Sequence, residues 1–326
     1  MKPALHLAGA LLLTCFGLSA PVFATEYPLP PPDSRLIGEN VVTQVPDNKR
    51  PLEEIAARYQ VGLLGMLEAN PGTDPWLPKP GTQLTIPLQM ILPDTPREGI
   101  VVNLAELRLY YYPKGEDKVI VYPIGIGQVG IVTPIMVTRI SQKIPNPTWT
   151  PTANIRKRYA KEGITLPAVV PAGPDNPMGL HALRMARGTG QYLIHGTNAN
   201  FGIGMRVSSG CIRLRTEDID ALFNSVPVGT RVQIINQPVK FSVEPDGKRY
   251  VEVHQPLSRN EKDDPQTAPL ALSADFRSFM KSEKSDRALI KATLTRRSGM
   301  PVLVSAGEPI QDEAEASASF QRAAGE

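Results

Sequence analysis

Cys211 and His195 are the two side chains whose types and spacing could do nucleophilic chemistry. Cys211 lies in the run Val207-Ser208-Ser209-Gly210-Cys211-Ile212-Arg213-Leu214, sixteen residues after His195. Only a thiolate is a strong nucleophile, and a nearby imidazole can take the thiol proton. The other cysteine, Cys15, falls in an N-terminal stretch that has the pattern of an export signal. An unpaired thiol in an oxidising compartment therefore calls for a chemical role.

The residues beside Cys211 fit this chemistry. The small residues Ser208-Ser209-Gly210 allow a tight turn, whose backbone N–H groups can point at a developing oxyanion. Arg206, Arg213 and Arg215 place positive charge around the thiol, so we expect its pKa to be lowered. The same arginines suit a substrate that carries carboxylates.

Other interpretations of these residues stay open at this point. A lone cysteine is most often a small buried apolar residue, and apolar side chains flank Cys211 in the sequence. His181, in an alternating strand-like run, is a weaker candidate for the site, and His254 is weaker still. His195 ends the apolar run Tyr192-Leu193-Ile194 and precedes a glycine, which places it where a strand gives way to a loop. We therefore favour His195 as the partner of the thiol.

The N-terminus predicts export. Lys2 gives a basic start, residues 5–18 are almost continuously apolar, and Val22-Phe23-Ala24 offers small residues where a signal peptidase cuts. We expect a signal peptide at 1–24 and no transmembrane helix, because no later stretch approaches the roughly 20 apolar residues that a span needs. Lipidation of Cys15 is a less favoured alternative, since the residue before it is larger than the expected Gly, Ala or Ser.

Composition and charge narrow the function classes. The formal net charge is +3, and loss of Lys2 with the signal leaves it only mildly positive. That charge, with no basic cluster interleaved with aromatics, argues against a nucleic-acid partner. The 33 prolines and the aromatic content of 6% predict short strands, turns and linkers rather than a helical bundle.

Sequence patterns divide the rest of the chain into segments. They predict a stiff Pro-rich linker at 25–40, a small α+β module at 41–87, a mainly β domain at 98–236, an extension at 237–304 and a disordered tail at 305–326. The module has the order strand, helix, helix, strand. The β domain has short strands with turn signals, which is typical of a sandwich or barrel, and no long helical period. Within it, the Pro-rich stretch 144–174 is a candidate lid.

In the extension, residues 250–253 predict a strand and residues 285–297 a helix. Ser285 is the expected N-cap of this helix, and Gly299 and Pro301 lie past its C-terminal end.

Residues 41–87 resemble a LysM module, a family that binds glycans containing N-acetylglucosamine. The resemblance is carried by Ile55-Ala56, Tyr59, Leu67, Asn70 and Pro80-Gly81-Thr82-Gln83-Leu84-Thr85-Ile86-Pro87. The usual Gly-Asp-Thr-Leu entry is replaced by Asn48-Lys49-Arg50-Pro51-Leu52. The resemblance implies glycan strands as a partner of this module, and a packing or docking role is the alternative.

Residues 98–236 resemble the YkuD-type L,D-transpeptidases. The resemblance is carried by His195-Gly196, the step to Cys211 with its flanking run, and by Asn146-Pro147-Thr148-Trp149-Thr150-Pro151, Asn176-Pro177-Met178-Gly179 and Asp218. Many members have His or Asn where this chain has Ser209, so a second imidazole is absent here. The resemblance implies a β-sandwich enzyme that remodels peptidoglycan in the periplasm.

In this family, a cysteine attacks the meso-diaminopimelate carbonyl of a tetrapeptide stem, expels the terminal D-Ala, and passes the acyl group to an amine. The resemblance implies that Cys211 is the nucleophile, that His195 is base and then acid, and that the Gly196 carbonyl orients the imidazole. It implies backbone oxyanion donors at Gly210 and Cys211. Substrate contacts would come from Arg213 and Ser209, and neither a metal nor a cofactor is required.

These motifs do not determine which amine accepts the acyl group. The overall layout is similar to the enterobacterial enzymes that join Braun lipoprotein, through its C-terminal lysine, to the stem. A second stem, giving 3→3 cross-links, is the main alternative. Hydrolysis by water and an inactive, glycan-binding protein are further alternatives, and the intact Cys211 and His195 argue against the last.

Overall fold

The computed structural model describes residues 25–188, 192–258, 260 and 262–307. The predicted signal peptide (1–24) and most of the predicted tail (308–326) lie outside the described residues. The described chain is mainly β, as predicted. No helix within it has both the length and the apolar character that a bilayer span requires.

The first strands show that the predicted linker is wrong for part of its length. Strand β1 (Thr25–Pro28) pairs antiparallel with Lys118–Val121 and forms an edge of the main sheet. Strand β2 (Leu36–Ile37) pairs with Met90–Ile91. Tyr27 is buried in the core on this face of the sheet, so prolines after β1 do not prevent residues 25–28 from packing.

The small module has the predicted order of elements. It consists of β3 (Val41–Gln44), α1 (Leu52–Arg58), α2 (Leu63–Ala69) and β4 (Gln83–Ile86), and β5 (Met90–Ile91) follows it. Strands β3 and β4 pair antiparallel, and the helices bury Leu52, Met66 and Leu84 between them and the strands. The Asn70 amide joins the end of α2 to β4, because it accepts from Thr85 N at 2.7 Å and donates to Thr85 O at 2.8 Å.

The β domain is built on one long curved sheet. Its elements are β6 (Gly99–Asn103), β7 (Arg108–Tyr112), β8 (Lys118–Pro123), β9 (Ile126–Gly127), β10 (Met136–Pro145), α3 (Ala153–Lys161), β11 (His181–Met185), β12 (Leu193–His195), β13 (Arg206–Ser208), β14 (Ile212–Arg213), α4 (Thr216–Ser225) and β15 (Arg231–Ile235). The strand order is β1-β8-β7-β6-β15-β10-β11-β12-β14, and β9 pairs with β13 in a separate ribbon.

Strand β10 connects the two halves of this sheet. Its first residues, from Met136 to Arg139, pair with β15, and its residues from Ile140 onward pair with β11, with an irregularity in this second pairing between Ile140 and Gln142. Side chains from both halves, such as Tyr122 and Leu183, pack into one core together with Leu222 of α4. The halves therefore enclose a shared interior, as in a β-sandwich.

The α3 helix lies in a segment where the sequence showed no long helical period. Thr152 Oγ1 caps it by accepting from Ile155 N at 3.3 Å. The helix belongs to a covering segment, residues 146–180, that is fastened by the fully buried Asn176. The Asn176 side chain donates to Pro147 O at 2.8 Å and to Pro171 O at 3.0 Å, so it ties the two ends of this segment together.

The extension is a folded unit of its own. It contains β16 (Val239–Val243), β17 (Arg249–Val253), α5 (Ala274–Lys281), α6 (Arg287–Arg296) and β18 (Pro301–Leu303). Phe276, Phe279 and Ile290 pack the helices on the three strands. The sequence patterns missed α5 and β18, because short amphipathic segments are hard to tell from loops.

The α6 boundaries correct the predicted helix of the extension. The N-cap is Asp286, whose Oδ1 accepts from Leu289 N at 2.9 Å, and not Ser285. Ser285 instead forms a bridge with Ser305, and Ser305 Oγ accepts from Arg249 N at 3.0 Å. The ordered unit therefore continues past the predicted start of the tail at residue 305.

Six largely buried charged side chains join the three units in what we term the interdomain charge cluster: Glu68 of α2, Glu106 and Arg108 of the β domain, and Lys240, Glu252 and His254 of the extension. Lys240 Nζ lies 2.8 Å from Glu106 and 3.0 Å from Glu252. Arg108 lies 3.1 Å from Glu106 and 3.2 Å from Glu252.

His254 links the extension to the small module within this cluster. Its ring nitrogens lie 3.0 Å from Glu68 and 2.7 Å from Glu252. Burial alone would lower the pKa of His254, but hydrogen bonds and charges of these two carboxylates raise it to about 9. The cluster therefore holds three acidic and three basic groups that compensate one another.

Three members of the cluster could in principle hold a metal ion. Ligand atoms of Glu106, Glu252 and His254 all lie within 4.8 Å of one another, a grouping that is not visible in the sequence. Lys240 and Arg108 already supply positive charge to the same carboxylates. We therefore interpret the grouping as an ion-pair network.

The small module also packs directly on the β domain. Arg215, at the start of α4, donates to Val61 O at 3.0 Å and to Gln60 Oε1 at 3.3 Å. Gly62 and Gly204 approach so closely that a Cβ on Gly62 would lie 2.6 Å from the Gly204 Cα. The contact therefore requires glycine at both positions.

Candidate active site

The predicted base lies at the end of β12, and the predicted nucleophile immediately precedes β14, the parallel strand next to it. Strands β12 and β14 are in register with Ile194 opposite Ile212 and His195 opposite Arg213. Ile194 and Ile212 are fully buried in the core. Because side chains alternate along a strand, His195, Arg213 and Cys211 face the other side, where the covering segment lies.

His195 is held in one orientation by a backbone carbonyl. Its Nδ1 donates to Gly196 O at 2.6 Å, so the neutral ring leaves Nε2 without a proton and able to accept one. Burial is the largest influence on its pKa and lowers it, and the charge of Arg213 lowers it further. The carbonyls of Gly196 and Met178, which favour the protonated ring, oppose this only partly, and the pKa falls to about 4. The imidazole is therefore neutral at pH 7.

The expected lowering of the Cys211 pKa is not found in the structure. Burial is the largest influence and raises the pKa of Cys211. A hydrogen bond with the Leu193 backbone and the charge of Arg213 lower it, without offsetting the burial. The other two arginines are engaged elsewhere, Arg206 with Ser258 O at 2.8 Å and Arg215 with the small module.

A neutral thiol therefore faces the same side as a neutral imidazole. In a pair of this kind the proton would have to pass to the imidazole as the sulfur attacks, whereas in a preformed thiolate–imidazolium pair it has already moved. The pKa of about 4 makes His195 a weak base at rest, and negative charge developing on the sulfur or the substrate would stabilise its protonated form.

Ser208 shapes the turn that carries the thiol. Its fully buried hydroxyl donates to Cys211 O at 2.6 Å and accepts from Gly210 N at 3.2 Å. Gly210 has φ of +102°, a conformation that favours glycine. The Gly210 N–H, predicted as an oxyanion donor, thus already has a partner and would have to exchange it. Ser209 is exposed next to this turn.

Thr133 is a site residue that the sequence patterns missed. Its buried hydroxyl donates to Gly210 O at 3.1 Å and accepts from Gly127 N at 3.2 Å. It therefore fixes the carbonyl of the residue before Cys211, the predicted nucleophile. Ser208 could have been found from its place in the cysteine run, but no motif connects Thr133 to a residue 77 positions away.

The covering segment reaches the site through α3 and the loop before β11. Charges of Tyr159 and Arg158 act on the Arg213 guanidinium, whose pKa is lowered mainly by burial. Gly179 has φ of +65°, and a Cβ there would lie 2.9 Å from Thr197 N. The segment thus fits against the loop after His195 at backbone distance.

The other predicted candidates interact with groups other than the thiol. His181 Nδ1 lies 2.5 Å from Asp220, and its ring stacks on Phe223 of α4 at 4.2 Å. His254 belongs to the interdomain charge cluster. Asp218 is buried in the first turn of α4, and burial raises its pKa to about 7, opposed by Arg215. Neither Asp218 carboxyl oxygen has a hydrogen-bond partner among the described residues.

A thiol that faces the same side of a mainly β domain as a carbonyl-anchored imidazole is an arrangement that cysteine-dependent acyl transfer can use. Comparison with known protein families gives two matches. Residues 97–234 match the YkuD family model, described as the L,D-transpeptidase catalytic domain, and residues 238–304 match the L,D-transpeptidase C-terminal domain. The chain belongs to the YkuD family and is an L,D-transpeptidase.

Similar proteins extend over nearly the whole chain. "Probable L,D-transpeptidase YcfS" of Escherichia coli is 59% identical and aligns with 87% of this chain and 90% of its own length. "Probable L,D-transpeptidase ErfK/SrfK" of Salmonella typhimurium is 59% identical, with coverages of 92% and 96%. "Probable L,D-transpeptidase YbiS" of Escherichia coli is 55% identical, with coverages of 88% and 94%. The likeness thus includes the small module and the extension.

Proposed function

We propose that this L,D-transpeptidase uses Cys211 to cleave the meso-diaminopimelate–D-Ala bond of a tetrapeptide stem and transfers the stem to the C-terminal lysine of Braun lipoprotein. The observation that carries the cysteine mechanism is the His195 Nδ1 bond to Gly196 O, which leaves Nε2 available as a base on the face shared with the thiol. Support for the acceptor is the overall likeness to enterobacterial relatives, which extends over 87% and 92% of the chain.

The acylation half-reaction follows from these groups. The Cys211 sulfur attacks the diaminopimelate carbonyl as its proton passes to His195 Nε2. The Cys211 N–H, and the Gly210 N–H once it leaves the Ser208 hydroxyl, stabilise the oxyanion. The C–N bond then breaks, and D-Ala leaves with the proton from His195. The product is a thioester between the stem and Cys211.

The transfer half-reaction reverses these roles. The lysine amine of the lipoprotein attacks the thioester carbonyl and gives a proton to His195. The C–S bond breaks, and the sulfur regains its proton. Arg213 holds a stem carboxylate, because its buried Nε has no partner among the described residues, and the exposed Ser209 contacts substrate beside it.

The setting of this reaction follows from the export pattern at 1–24. We propose a periplasmic location, with the small module, as a LysM-like unit, binding the glycan strands that carry the stems. The strand-helix-helix-strand order of the module and its packing against α4 through Arg215 support a role next to the site.

The test combines donor and acceptor in one reaction. Purified enzyme with tetrapeptide muropeptides and a C-terminal lipoprotein peptide should release D-Ala and form a stem–lysine amide, detected by chromatography and mass spectrometry. Cys211→Ala should release no D-Ala. His195→Gln should slow acylation by about 10² to 10⁴-fold, because the base is lost.

The outcomes of this experiment test the mechanism and the acceptor separately. D-Ala release by Cys211→Ala at the wild-type rate would refute the mechanism. Stem dimers as the main product would replace the lipoprotein acceptor by a second stem, and free tripeptide stems would replace it by water. Thr95→Ala, which alters a hydroxyl outside the site, is the control variant.

A further inference from the structure

A cavity lies between the β domain and the extension, beside the turn that carries Cys211. Its volume is about 250 Å³. This is many times the space of about 10–15 Å³ that one water molecule requires, so the cavity can hold a side chain. Its wall consists mainly of the loop between β9 and β10 (residues 128–135), Arg206 of β13, and Leu257 and Ser258 of the extension. We call it the lateral cavity.

The wall of the lateral cavity touches the turn that carries the thiol. Thr133 and Gly127 both line the cavity, and Thr133 is the residue whose hydroxyl donates to Gly210 O. A Cβ on Gly127 would lie 3.3 Å from the Gly210 Cα, and a Cβ on Gly210 would lie 3.6 Å from Ile131 Cγ2. The cavity wall is therefore in van der Waals contact with the residue before Cys211.

The lateral cavity is mostly apolar and carries one cation. Val132 is 80% exposed and Ile135 is 65% exposed, and both side chains belong to its wall together with Leu257. Exposed apolar side chains grouped around a cavity mark a place where a ligand binds. Arg206 is the one charged residue among the described residues that line it. An alkyl chain that carries a negative charge would complement such a wall.

The Arg206 guanidinium is oriented by the protein and lacks an acidic partner. Its Nη1 donates to Ser258 O at 2.8 Å, and its buried Nε has no hydrogen-bond partner among the described residues. Burial lowers the pKa of Arg206, and no carboxylate in the described part of the chain opposes this shift. An arginine nevertheless stays protonated at pH 7. Because a carboxylate binds a guanidinium through two parallel hydrogen bonds, the edge formed by Nε and Nη2 suits one.

The charge of Arg206 lies apart from the thiol, which restricts the kind of acceptor. Arg213 is the arginine whose charge acts on the pKa of Cys211. A carboxylate held by Arg206 therefore suits an acceptor whose amine is distant from its carboxylate. A C-terminal lysine has this form, because a four-carbon stem separates its amine from the carbon that bears the carboxylate. In the diaminopimelate of a second stem, the acceptor amine and a carboxylate share one carbon.

We propose that the lateral cavity is the acceptor subsite, in which Arg206 binds the C-terminal carboxylate of the acceptor lysine while Val132 and Ile135 contact its methylenes. This deepens the proposed function, on which it rests for the lysine acceptor. No residue of the covering segment lines the cavity. The lysine amine would therefore approach the thioester past Gly210, while the stem stays bound on the side of Arg213. The extension, through Ser258, would take part in choosing the acceptor.

The test compares two acceptor peptides of the same sequence, one ending in a free lysine carboxylate and the other in a lysine carboxamide. The enzyme is the full mature chain with saturating tetrapeptide muropeptide, and mass spectrometry measures kcat/KM for formation of the stem–lysine amide. The wild type should prefer the carboxylate by about tenfold or more, because the carboxamide loses charge-assisted hydrogen bonds. The ratio of the two values cancels differences in the folded fraction and in the rate of acylation.

Matched variants connect this preference to the lateral cavity. Arg206→Gln should bring the ratio of carboxylate to carboxamide close to one, and Arg206→Lys, which keeps the charge, should retain part of the preference. Val132→Asp puts a negative charge at the cavity wall and should slow the carboxylate peptide more than the carboxamide. Arg139→Gln, at an exposed arginine of β10 that does not line the cavity, should keep the wild-type ratio.

Failure of the subsite and failure of the proposed function give different products. Equal values for the two peptides with the wild type would overturn the subsite and leave the lysine acceptor in place. Equal slowing of both peptides by Arg206→Gln would also overturn it, because Arg206 would then only hold the backbone at Ser258. Release of D-Ala without a stem–lysine amide from either peptide would refute the lysine acceptor, and the subsite with it.

Discussion

At the residue scale, burial decides the protonation of the groups around the site. The sequence predicts a thiol activated by three arginines, and the structure leaves only Arg213 acting on it while burial raises the pKa of Cys211. Burial likewise lowers the pKa of His195 to about 4. Charge next to a residue in sequence does not reveal where the side chain points, and Arg215 points into the module. Residue types thus indicate the proposed reacting pair, but the resting protonation of the two side chains depends on the fold.

Asp218 gives a pH prediction at this scale. Its pKa is about 7 in the folded chain and near 4 in the unfolded chain, because it is buried without a hydrogen-bond partner among the described residues. Its contribution to stability is therefore complete below pH 4 and is lost as the pH rises through 7. Relative to Asp218→Asn, the wild-type free energy of unfolding should fall by about 3 kcal/mol between pH 5 and pH 8.

Urea unfolding of both proteins at several pH values checks this. Groups shared by the two chains, His254 included, cancel in the difference. Asp117→Asn, at an exposed carboxyl, serves as the control and should follow the wild type. Parallel curves for the wild type and Asp218→Asn would contradict the raised pKa.

At the element scale, the strands around the thiol could be predicted and the covering segment could not. Tyr192-Leu193-Ile194-His195 is an apolar run that ends at a glycine, so the strand before His195 follows from its pattern. The α3 helix, in contrast, has a single buried residue, Ile155, and carries charged side chains along its exposed surface. It is held by Thr152 and by the tertiary bonds of Asn176, which no local period records. Thr133 is hidden from the sequence for the same reason.

Two glycines of the covering segment give a matched prediction. Gly179 and Gly163 both have positive φ, +65° and +77°, so alanine strains the backbone similarly at each. A Cβ at Gly179 would meet Thr197 N at 2.9 Å, whereas nothing lies within 4 Å of one at Gly163. Gly179→Ala should therefore move the segment away from His195 and lower kcat/KM at least tenfold, and Gly163→Ala should stay within about threefold of wild type.

Steady-state release of D-Ala measures both variants, and thermal unfolding shows whether each is folded. An equal loss of activity in the two variants would mean that backbone strain, and not the contact with the loop after His195, accounts for the effect.

At the scale of the whole molecule, three units are joined by buried charge. The interdomain charge cluster combines side chains that lie far apart in sequence, from Glu68 to His254, and so could not be predicted from motifs. The order of the units could be predicted, since each has its own hydrophobic pattern. The contacts between them depend on which polar groups are buried together, and sequence patterns do not contain that information.

Lys240 tests the cluster. Its ammonium is fully buried against Glu106 and Glu252, so Lys240→Met should leave these carboxylates undercompensated and cost about 3–5 kcal/mol of stability. Lys248→Met removes an exposed ion pair with Asp246 and should cost no more than about 1 kcal/mol. Chemical denaturation of both variants gives the comparison, and a loss below 1 kcal/mol for Lys240→Met would contradict a structural role for the cluster.

Strand β1 has a practical consequence for handling the protein. It covers the edge of β8, where Val119 and Val121 lie in a hydrophobic core. A recombinant chain trimmed to begin at Val41, on the view that the preceding residues are a linker, would leave this edge and its backbone N–H and C=O groups open. Open strand edges recruit strands from other molecules, so such a shortened enzyme would be prone to self-association.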